Sequence, residues 1–271
     1  MLRAPSAIGL FLLSLLFVGG ISVAQKPKEK TPPASKPGAS IEVVFIGNSY
    51  THFHDLPAMV RALGAVQKPQ RKVETVMLAP GGFTLQGHWE AKGNDAARTV
   101  LGDRKPDFVV LQEQSRQPLD EPDAMQTFAA KWAKLVQERG AVAVWYSTWA
   151  RKAEPDNQGA IDEQYAKAKK ANGGLLAPVG RAWQQALQEK DPIALHDADG
   201  SHPSPAGSYL AACVLFATMA GGDVATFPDK LVVAGDNGKE RVLVELTPDV
   251  GKRLRAAAAA AVEKAPAAKR R

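Results

Sequence analysis

The chain has 271 residues, of which 45% are hydrophobic, 23% charged and 7% aromatic. This composition excludes a disordered, collagen-like or disulfide-stapled chain, and the length allows one large core or two small ones. The formal net charge of +6 belongs to the ends: Arg3 contributes +1, residues 25–39 contribute +3 and residues 252–271 contribute +6, which leaves −4 for residues 40–251. Basic ends attract polyanions without reading nucleotide sequence, so no specific nucleic-acid partner is expected.

The N-terminal segment has the pattern of an export signal. Arg3 precedes an apolar run over residues 8–18, and the small residues Ser22 and Ala24 follow. This pattern predicts a signal peptide over residues 1–24, cleaved after Ala24. The run is shorter than the roughly 20 residues of a membrane span, so no transmembrane segment is expected in the mature chain. Residues 25–40 are rich in Pro and Lys and predict a linker. The cleavable signal peptide predicts that the protein is secreted or periplasmic.

Apolar runs alternate with amphipathic stretches along the body of the chain. Strands are predicted at 41–46, 73–78, 108–111, 141–146 and 175–179. Helices are predicted at 56–65, 122–139, 161–171, 179–188 and 205–220. Continuous apolar strands separated by helices indicate an α/β protein with three layers, α/β/α, around a central parallel sheet.

The last part of the chain is predicted to form a small appendage and a final helix. Residues 221–246 form a strand-containing appendage with a hairpin around residues 236–238, where Asn-Gly favours a tight turn. Residues 247–271 predict a C-terminal helix, which begins at Thr247-Pro248, and a basic tail. The single cysteine, Cys213, lies in an apolar stretch and is expected to be buried and inert.

Polar clusters follow several predicted strands, and sites in parallel sheets form at the carboxyl ends of the strands. The first cluster is residues 47–51, in which Ser49 presents a hydroxyl near a helix N-terminus, although a serine there can also simply cap the helix. The second is residues 80–84, where Gly81 and Gly82 allow a tight turn and offer N–H groups to an oxyanion.

The third cluster is Gln112-Glu113-Gln114-Ser115, at the end of the most apolar strand. An amide side chain there can donate to an oxyanion, and the alternation of an extended chain puts Gln112 and Gln114 on one side. The sequence does not decide which of the two glutamines would donate. A purely structural amide network is the alternative.

The fourth cluster precedes a predicted helix and contains Asp199 and His202. Three residues apart on one loop, the carboxylate can orient the imidazole, although Asp197 could replace Asp199 as the partner. With Ser49 at the first strand, the chain order becomes Ser, Asp, His. This order and the placement at strand ends favour hydrolytic chemistry.

These motifs resemble those of the SGNH/GDSL hydrolase superfamily, in its branch that opens with Gly-Asn-Ser-Tyr-Thr and is related to carbohydrate acetylesterases. The resemblance covers about residues 41–220, within an expected catalytic domain at 41–246, and it implies the flavodoxin-like SGNH hydrolase fold. By motif, it implies Ser49 as nucleophile, Asp199 as acid and His202 as base. It also implies an oxyanion hole from Ser49 N–H, a glycine N–H (Gly81 or Gly82) and an amide, here Gln112 or Gln114 in place of the usual asparagine.

The implied reaction is hydrolysis of a short acyl ester, such as an O-acetyl group on carbohydrate, through an acyl-enzyme, with no metal or organic cofactor. The expected partner is an acylated small molecule or polysaccharide, and the sequence leaves the oligomeric state open. An O-acyltransferase on the same triad and a non-catalytic envelope or carbohydrate-binding protein are the alternatives. An α/β-hydrolase is less favoured, because Thr51 stands where its Gly-x-Ser-x-Gly elbow expects the last glycine.

Three further residues are candidate substrate contacts: Asn48 beside the nucleophile, and Trp149 and Arg151 beyond a strand end. Three histidines, His52, His54 and His88, could suggest a metal site, but their spacing matches no ligand pattern. They are expected to be surface loop histidines.

Overall fold

The computed structural model describes Met1, residues 40–235 and residues 238–264. The predicted cleavage site, nearly all of the signal peptide and linker, and the basic tail from residue 265 lie outside these ranges. Within them, no helix is both long enough and apolar enough to cross a membrane.

A five-stranded parallel sheet forms the centre of the molecule. Its strands are β1 (Ile41–Ile46), β2 (Val73–Leu78), β3 (Phe108–Leu111), β4 (Val142–Tyr146) and β5 (Leu175–Ala177). They are hydrogen-bonded in the order β2-β1-β3-β4-β5, and every neighbouring pair is parallel. The order reverses between β1 and β3, which is where open α/β sheets form a crevice at their carboxyl edge.

Helices cover both faces of this sheet. They are α1 (Ser49–His52), α2 (Leu56–Val66), α3 (Leu85–Glu90), α4 (Ala97–Gly102), α5 (Gln117–Asp120), α6 (Pro122–Glu138), α7 (Gln158–Asn172), α8 (Val179–Leu187), α9 (Pro205–Ala220) and α10 (Pro248–Lys264). Because side chains alternate along a strand, Val43 and Phe45 of β1 join a core with α2, α8, α9 and α10, whereas Val44 and Ile46 join a second core with α3, α4, α6 and α7. The predicted α/β/α architecture is confirmed.

The C-terminal part packs on the first of these cores. Strands β6 (Lys230–Ala234) and β7 (Glu240–Glu245) pair antiparallel, as the hairpin prediction requires. Two of the three residues of the predicted turn, Asp236 and Asn237, lie outside the described residues. Helix α10 buries Leu254 and Ala258 completely in the same core, so the final helix is part of the folded body.

The predicted strands and long helices match the structure to within a few residues. Four short helices were not predicted, namely α1, α3, α4 and α5, each of four to six residues. Such helices are too short to show a 3.6-residue period, so their sequence pattern is indistinguishable from that of a polar loop.

Candidate active site

Ser49 is the first residue of α1, directly after β1. The helix is capped by Asn48, whose Oδ1 accepts from Tyr50 N at 3.1 Å, so the capping role does not fall to the serine. The turn needs a glycine before it, because a Cβ at Gly47 would lie 2.5 Å from Gln112 Oε1. Ser49 is half-buried and lies just past the carboxyl end of β1.

The structure brings Ser49 together with His202 and Asp199 from the far end of the chain. Ser49 Oγ lies 2.8 Å from His202 Nε2, and His202 Nδ1 lies 2.5 Å from Asp199 Oδ2. The other carboxylate oxygen, Asp199 Oδ1, accepts from the backbone N–H groups of Ser201 and His202, both at 2.9 Å. This geometry puts a proton on Nδ1 and leaves Nε2 free to accept the serine proton.

Asp199 is held in its charged form. Its hydrogen bond to His202, followed by that from Ser201 N, lowers the pKa of the Asp199 carboxyl to about 2. The rival carboxylate, Asp197, instead caps its own loop by accepting from Ala198 N at 2.8 Å. The partner of the imidazole is therefore Asp199.

An aromatic stack positions the loop that carries Asp199 and His202. The rings of Tyr50, Trp149 and Trp183 stack in sequence, with centroids 4.5 Å and 3.9 Å apart. Trp149 Nε1 donates to Ser201 O at 2.9 Å, and the Tyr50 hydroxyl lies 2.8 Å from Ser201 Oγ. The residue before His202 is thus hydrogen-bonded from two sides.

One face of the imidazole itself is covered by an aromatic ring that follows the nucleophile in the chain. The ring of Phe53 stacks on His202 with centroids 4.2 Å apart and planes 11° apart. The sequence analysis missed the roles of Tyr50 and Phe53. The available signal was two aromatic residues directly after Ser49, Tyr50 within α1 and Phe53 just past its end.

The hypothesis that Gln112 donates to an oxyanion is wrong for this geometry. Its side chain is fully buried, and its Nε2 donates to Asn48 Oδ1 at 3.0 Å and to Glu113 O. Its Oε1 accepts from Asn48 N and Thr51 Oγ1, both at 2.9 Å. Every hydrogen of this amide already has a protein acceptor, so Gln112 positions the turn that carries the nucleophile.

Asn48 likewise is not a substrate contact. It is 2% exposed, and its Nδ2 donates to Phe83 O at 2.9 Å. It therefore connects the serine turn to the glycine turn at residues 80–83. In that turn Gly82 has φ +74°, a left-handed conformation that favours glycine.

Gln114 differs from Gln112, because the chain has already left β3 and the two side chains do not share one side of a strand. Gln114 is half-buried, and its Oε1 accepts from Arg116 N at 2.6 Å. Within the described chain, its Nε2 and the backbone N–H of Ser49 have no protein acceptor. These are the donors left available at the site.

Glu113, between the two glutamines, connects the segment after β3 to the start of α3. It is 1% exposed, and its Oε1 accepts from Gln114 N at 2.8 Å and from Leu85 N at 3.0 Å. Burial raises the pKa of the Glu113 carboxyl to about 7. No local sequence signal indicates this role, since a glutamate after a strand is ordinarily exposed.

Trp149, an expected substrate contact, is 1% exposed inside the stack and borders the cavity next to it. Arg151 stays half-buried at the site, where its Nη2 donates to Ser115 Oγ at 3.0 Å. A cavity of about 480 Å³ lies beside residues 149–152. The residues that line it include Arg151, Lys152, Gln188 and His196, but neither Ser49 nor His202.

The three other histidines do not gather into one cluster of ligands. His88 is buried, contrary to expectation, and its Nε2 donates to Gly47 O at 2.6 Å, while burial lowers its pKa. His54 donates from Nε2 to Pro203 O at 3.0 Å, and His52 is exposed. Among the described residues, no group of three or more His, Cys, Asp or Glu side chains is placed to hold a metal ion. Cys213 is buried, and burial raises its pKa to about 12.

Fold and site together define a class: three-layer α/β/α proteins in which a serine after the first strand meets a late Asp-x-x-His loop. Comparison with solved structures identifies the family. An SGNH hydrolase from Slackia heliotrinireducens is 32% identical to the chain, aligns over 67% of it and over all of its own length, and has a TM-score of 0.59. No family model and no curated protein matches the chain.

Two more distant structures share the fold. A DUF4886 family protein from Bacteroides uniformis has a TM-score of 0.67 at 19% identity, over 83% of this chain and 96% of its own. Axe2, an acetylxylan esterase from Geobacillus stearothermophilus, has a TM-score of 0.52 at 20% identity, over 69% of this chain and 97% of its own. The chain belongs to the SGNH hydrolase family, and it is an ester-acting hydrolase of the SGNH/GDSL type.

Proposed function

We propose that the chain is a serine esterase that removes short acyl groups, O-acetyl above all, from carbohydrate. The observation that carries this proposal is the unbroken chain of hydrogen bonds from Ser49 Oγ through His202 to Asp199. The same three residue types in the same relation activate a serine for acyl transfer on unrelated folds. The Axe2 structure, whose fold this chain shares, is that of an esterase acting on acetylated xylan.

In the proposed mechanism, Ser49 Oγ attacks the ester carbonyl while its proton passes to His202 Nε2. Asp199 keeps the Nδ1 proton in place and stabilises the imidazolium. His202 then protonates the departing alcohol, which leaves the acyl group on Ser49. A water molecule, deprotonated by His202, cleaves this acyl-enzyme and restores the hydroxyl.

The oxyanion is proposed to accept from Ser49 N–H, from a backbone N–H of the Gly81-Gly82 turn and from Gln114 Nε2. The support for Gln114 is that the competing amide, Gln112, is fully hydrogen-bonded within the protein. The loss of one oxyanion donor lowers kcat by about 100- to 1,000-fold in enzymes of this kind. Gln114→Ala should therefore lower kcat by that factor with little change in KM.

The proposed activity is tested by hydrolysis of 4-nitrophenyl acetate with the mature chain and its Ser49→Ala variant. Wild-type activity that disappears in the variant, together with fluorophosphonate labelling that also disappears, supports the serine mechanism. Retained activity in Ser49→Ala would exclude Ser49 as nucleophile. Acetate release from acetylated xylan, with and without an added sugar acceptor, separates an esterase from an acyltransferase.

We also propose that the protein is exported. The support is the sequence pattern of residues 1–24 alone, with Arg3, the apolar run and Ala24. N-terminal sequencing of protein expressed from the full-length gene in a bacterial host should give Gln25 as the first residue. A mature chain that begins at Met1 and stays in the cytosol would overturn the proposal.

A further inference from the structure

Arg151 is a cation at the edge of the active site, next to Ser115. In the described part of the chain, it makes no ion pair. The nearby carboxylates of Asp120 and Glu154 form their ion pairs with Arg116. The hydrogen bond from Arg116 and, to a smaller extent, the charge of Arg151 lower the pKa of Asp120. In addition, Arg151 Nε is enclosed by protein and meets no hydrogen-bond acceptor among the described residues. The guanidinium is therefore incompletely compensated both in charge and in hydrogen bonds.

The position of Arg151 ties it to the proposed catalytic residues. Its Nη2 donates to Ser115, the residue after Gln114. Its charge also acts on the Tyr50 hydroxyl, where it opposes the rise in pKa that burial causes. Tyr50 follows the nucleophile, and its hydroxyl contacts Ser201, the residue before His202. The guanidinium thus lies beside the side chains that hold both halves of the Ser49–His202 pair.

The backbone that carries Arg151 is anchored on both sides. Ala150 N donates to Gln158 Oε1 and Lys152 N donates to Gly200 O, both at 2.8 Å. Residue 151 also borders the 480 Å³ cavity beside the Asp199–His202 loop. A substrate whose ester lies at Ser49 could extend along this loop, and little ordering of the loop would be needed to bind it.

We propose that Arg151 binds a carboxylate carried by the substrate, so that the enzyme prefers acylated acidic sugars, of the uronic acid type, to neutral ones. The inference rests on the esterase function proposed above. A planar guanidinium binds a carboxylate through two parallel hydrogen bonds, and its single charge matches that of the ligand. The next cation along the chain, Lys152, acts instead on His196, where its charge reinforces the lowering of the pKa by burial.

The test compares matched substrates that differ by one carboxylate. An O-acetylated methyl glucuronoside is compared with the O-acetylated methyl glucoside, which places the charge on the sugar. The 4-nitrophenyl hemisuccinate is compared with 4-nitrophenyl butyrate, which places the charge on the acyl group. For the wild type, we expect kcat/KM to be about 10- to 100-fold higher for the acidic sugar than for the neutral one.

Arg151→Met keeps most of the side-chain length and removes the charge. In this variant the acidic-to-neutral ratio should fall to about one, whereas Arg151→Lys should give an intermediate ratio because it retains only a point charge. The matched control is Arg139→Met, an exposed arginine at the end of α6, which should keep the wild-type ratio. Thermal unfolding of each variant shows whether the fold is intact.

Three outcomes would overturn the proposal: a wild-type ratio near one, a ratio that survives in Arg151→Met, or a preference for the charge on the acyl group alone. Each of these can be observed in an active esterase. The failure of the esterase proposal itself would look different, since neither the neutral nor the acidic substrate would then be hydrolysed and Ser49 would not be labelled.

Discussion

Replacement of Glu113 by glutamine should change how the free energy of unfolding depends on pH. Glu113 is 1% exposed, and burial raises the pKa of its carboxyl from an ordinary value near 4.5 to about 7. The folded state therefore holds a proton on Glu113 that the unfolded state releases between these two values. The stabilisation from this proton is fully present below pH 4.5 and is lost as the pH rises through 7.

The magnitude follows from the size of the shift. At about 1.4 kcal/mol per pKa unit, the rise in the pKa of Glu113 corresponds to about 3 kcal/mol between pH 4.5 and pH 8. Glu113→Gln keeps an oxygen to accept from Leu85 N and Gln114 N but does not titrate. The wild type should thus lose about 3 kcal/mol more than this variant over that range.

Urea denaturation of both proteins at several pH values from 4.5 to 8 measures this difference. Glu138→Gln, at an exposed carboxyl near the end of α6, is the matched control and should follow the wild-type curve. The groups that face Glu113 from neighbouring elements are the Tyr165 hydroxyl and the Glu121 carboxylate, and both are present in all three proteins. If the curves of the wild type and Glu113→Gln run parallel, the carboxyl is not protonated in the folded state and the reasoning is refuted.

Three other substitutions test the site and the core. Asp199→Asn should lower kcat by about 1,000- to 10,000-fold while the protein stays folded, because an amide favours the wrong imidazole tautomer. Steady-state kinetics measure the loss of kcat, and thermal unfolding shows whether the variant is folded. A loss of kcat below tenfold would contradict this prediction. Gly47→Ala should destabilise the serine turn, because the new Cβ would lie 2.5 Å from Gln112 Oε1. A melting temperature equal to that of the wild type would argue against this close packing of Gly47 on Gln112. Leu254→Ala should lower the free energy of unfolding by about 2–5 kcal/mol, measured with urea, because Leu254 is fully buried; a change below 1 kcal/mol would mean that α10 is not part of the core.

Much of the fold could be predicted because its elements carry strong local patterns. The strand at 41–46 is a continuous apolar run, and helix 205–220 begins with Ser204 as a capping residue before Pro205. These patterns depend on neighbours in the chain, so they can be read without the structure. The residue types and order of Ser49, Asp199 and His202 could be read in the same way, as a resemblance to a family.

The hydrogen-bond partners of the polar residues could not be predicted. Gln112 and Gln114 are the same residue type two positions apart, yet Gln112 is fully buried within an amide network, whereas Gln114 Nε2 meets no acceptor among the residues that the structure describes. Asn48 and Trp149 were expected to contact substrate and instead support the turn and the loop. In each case the decisive partner, such as Phe83 O for Asn48, is distant in sequence.

The sequence by itself determined the alternation of strands and helices, the parallel sheet and the three residue types at its carboxyl edge, because each of these follows from local periodicity or a short motif. Only the tertiary structure decided the strand order, the burial of Glu113 and the pairing of Asp120 and Glu154 with Arg116. Burial and pairing depend on which side chains from remote segments come within a few ångströms of one another. A hydrogen bond or a desolvated charge is a property of that contact, and local sequence does not contain it.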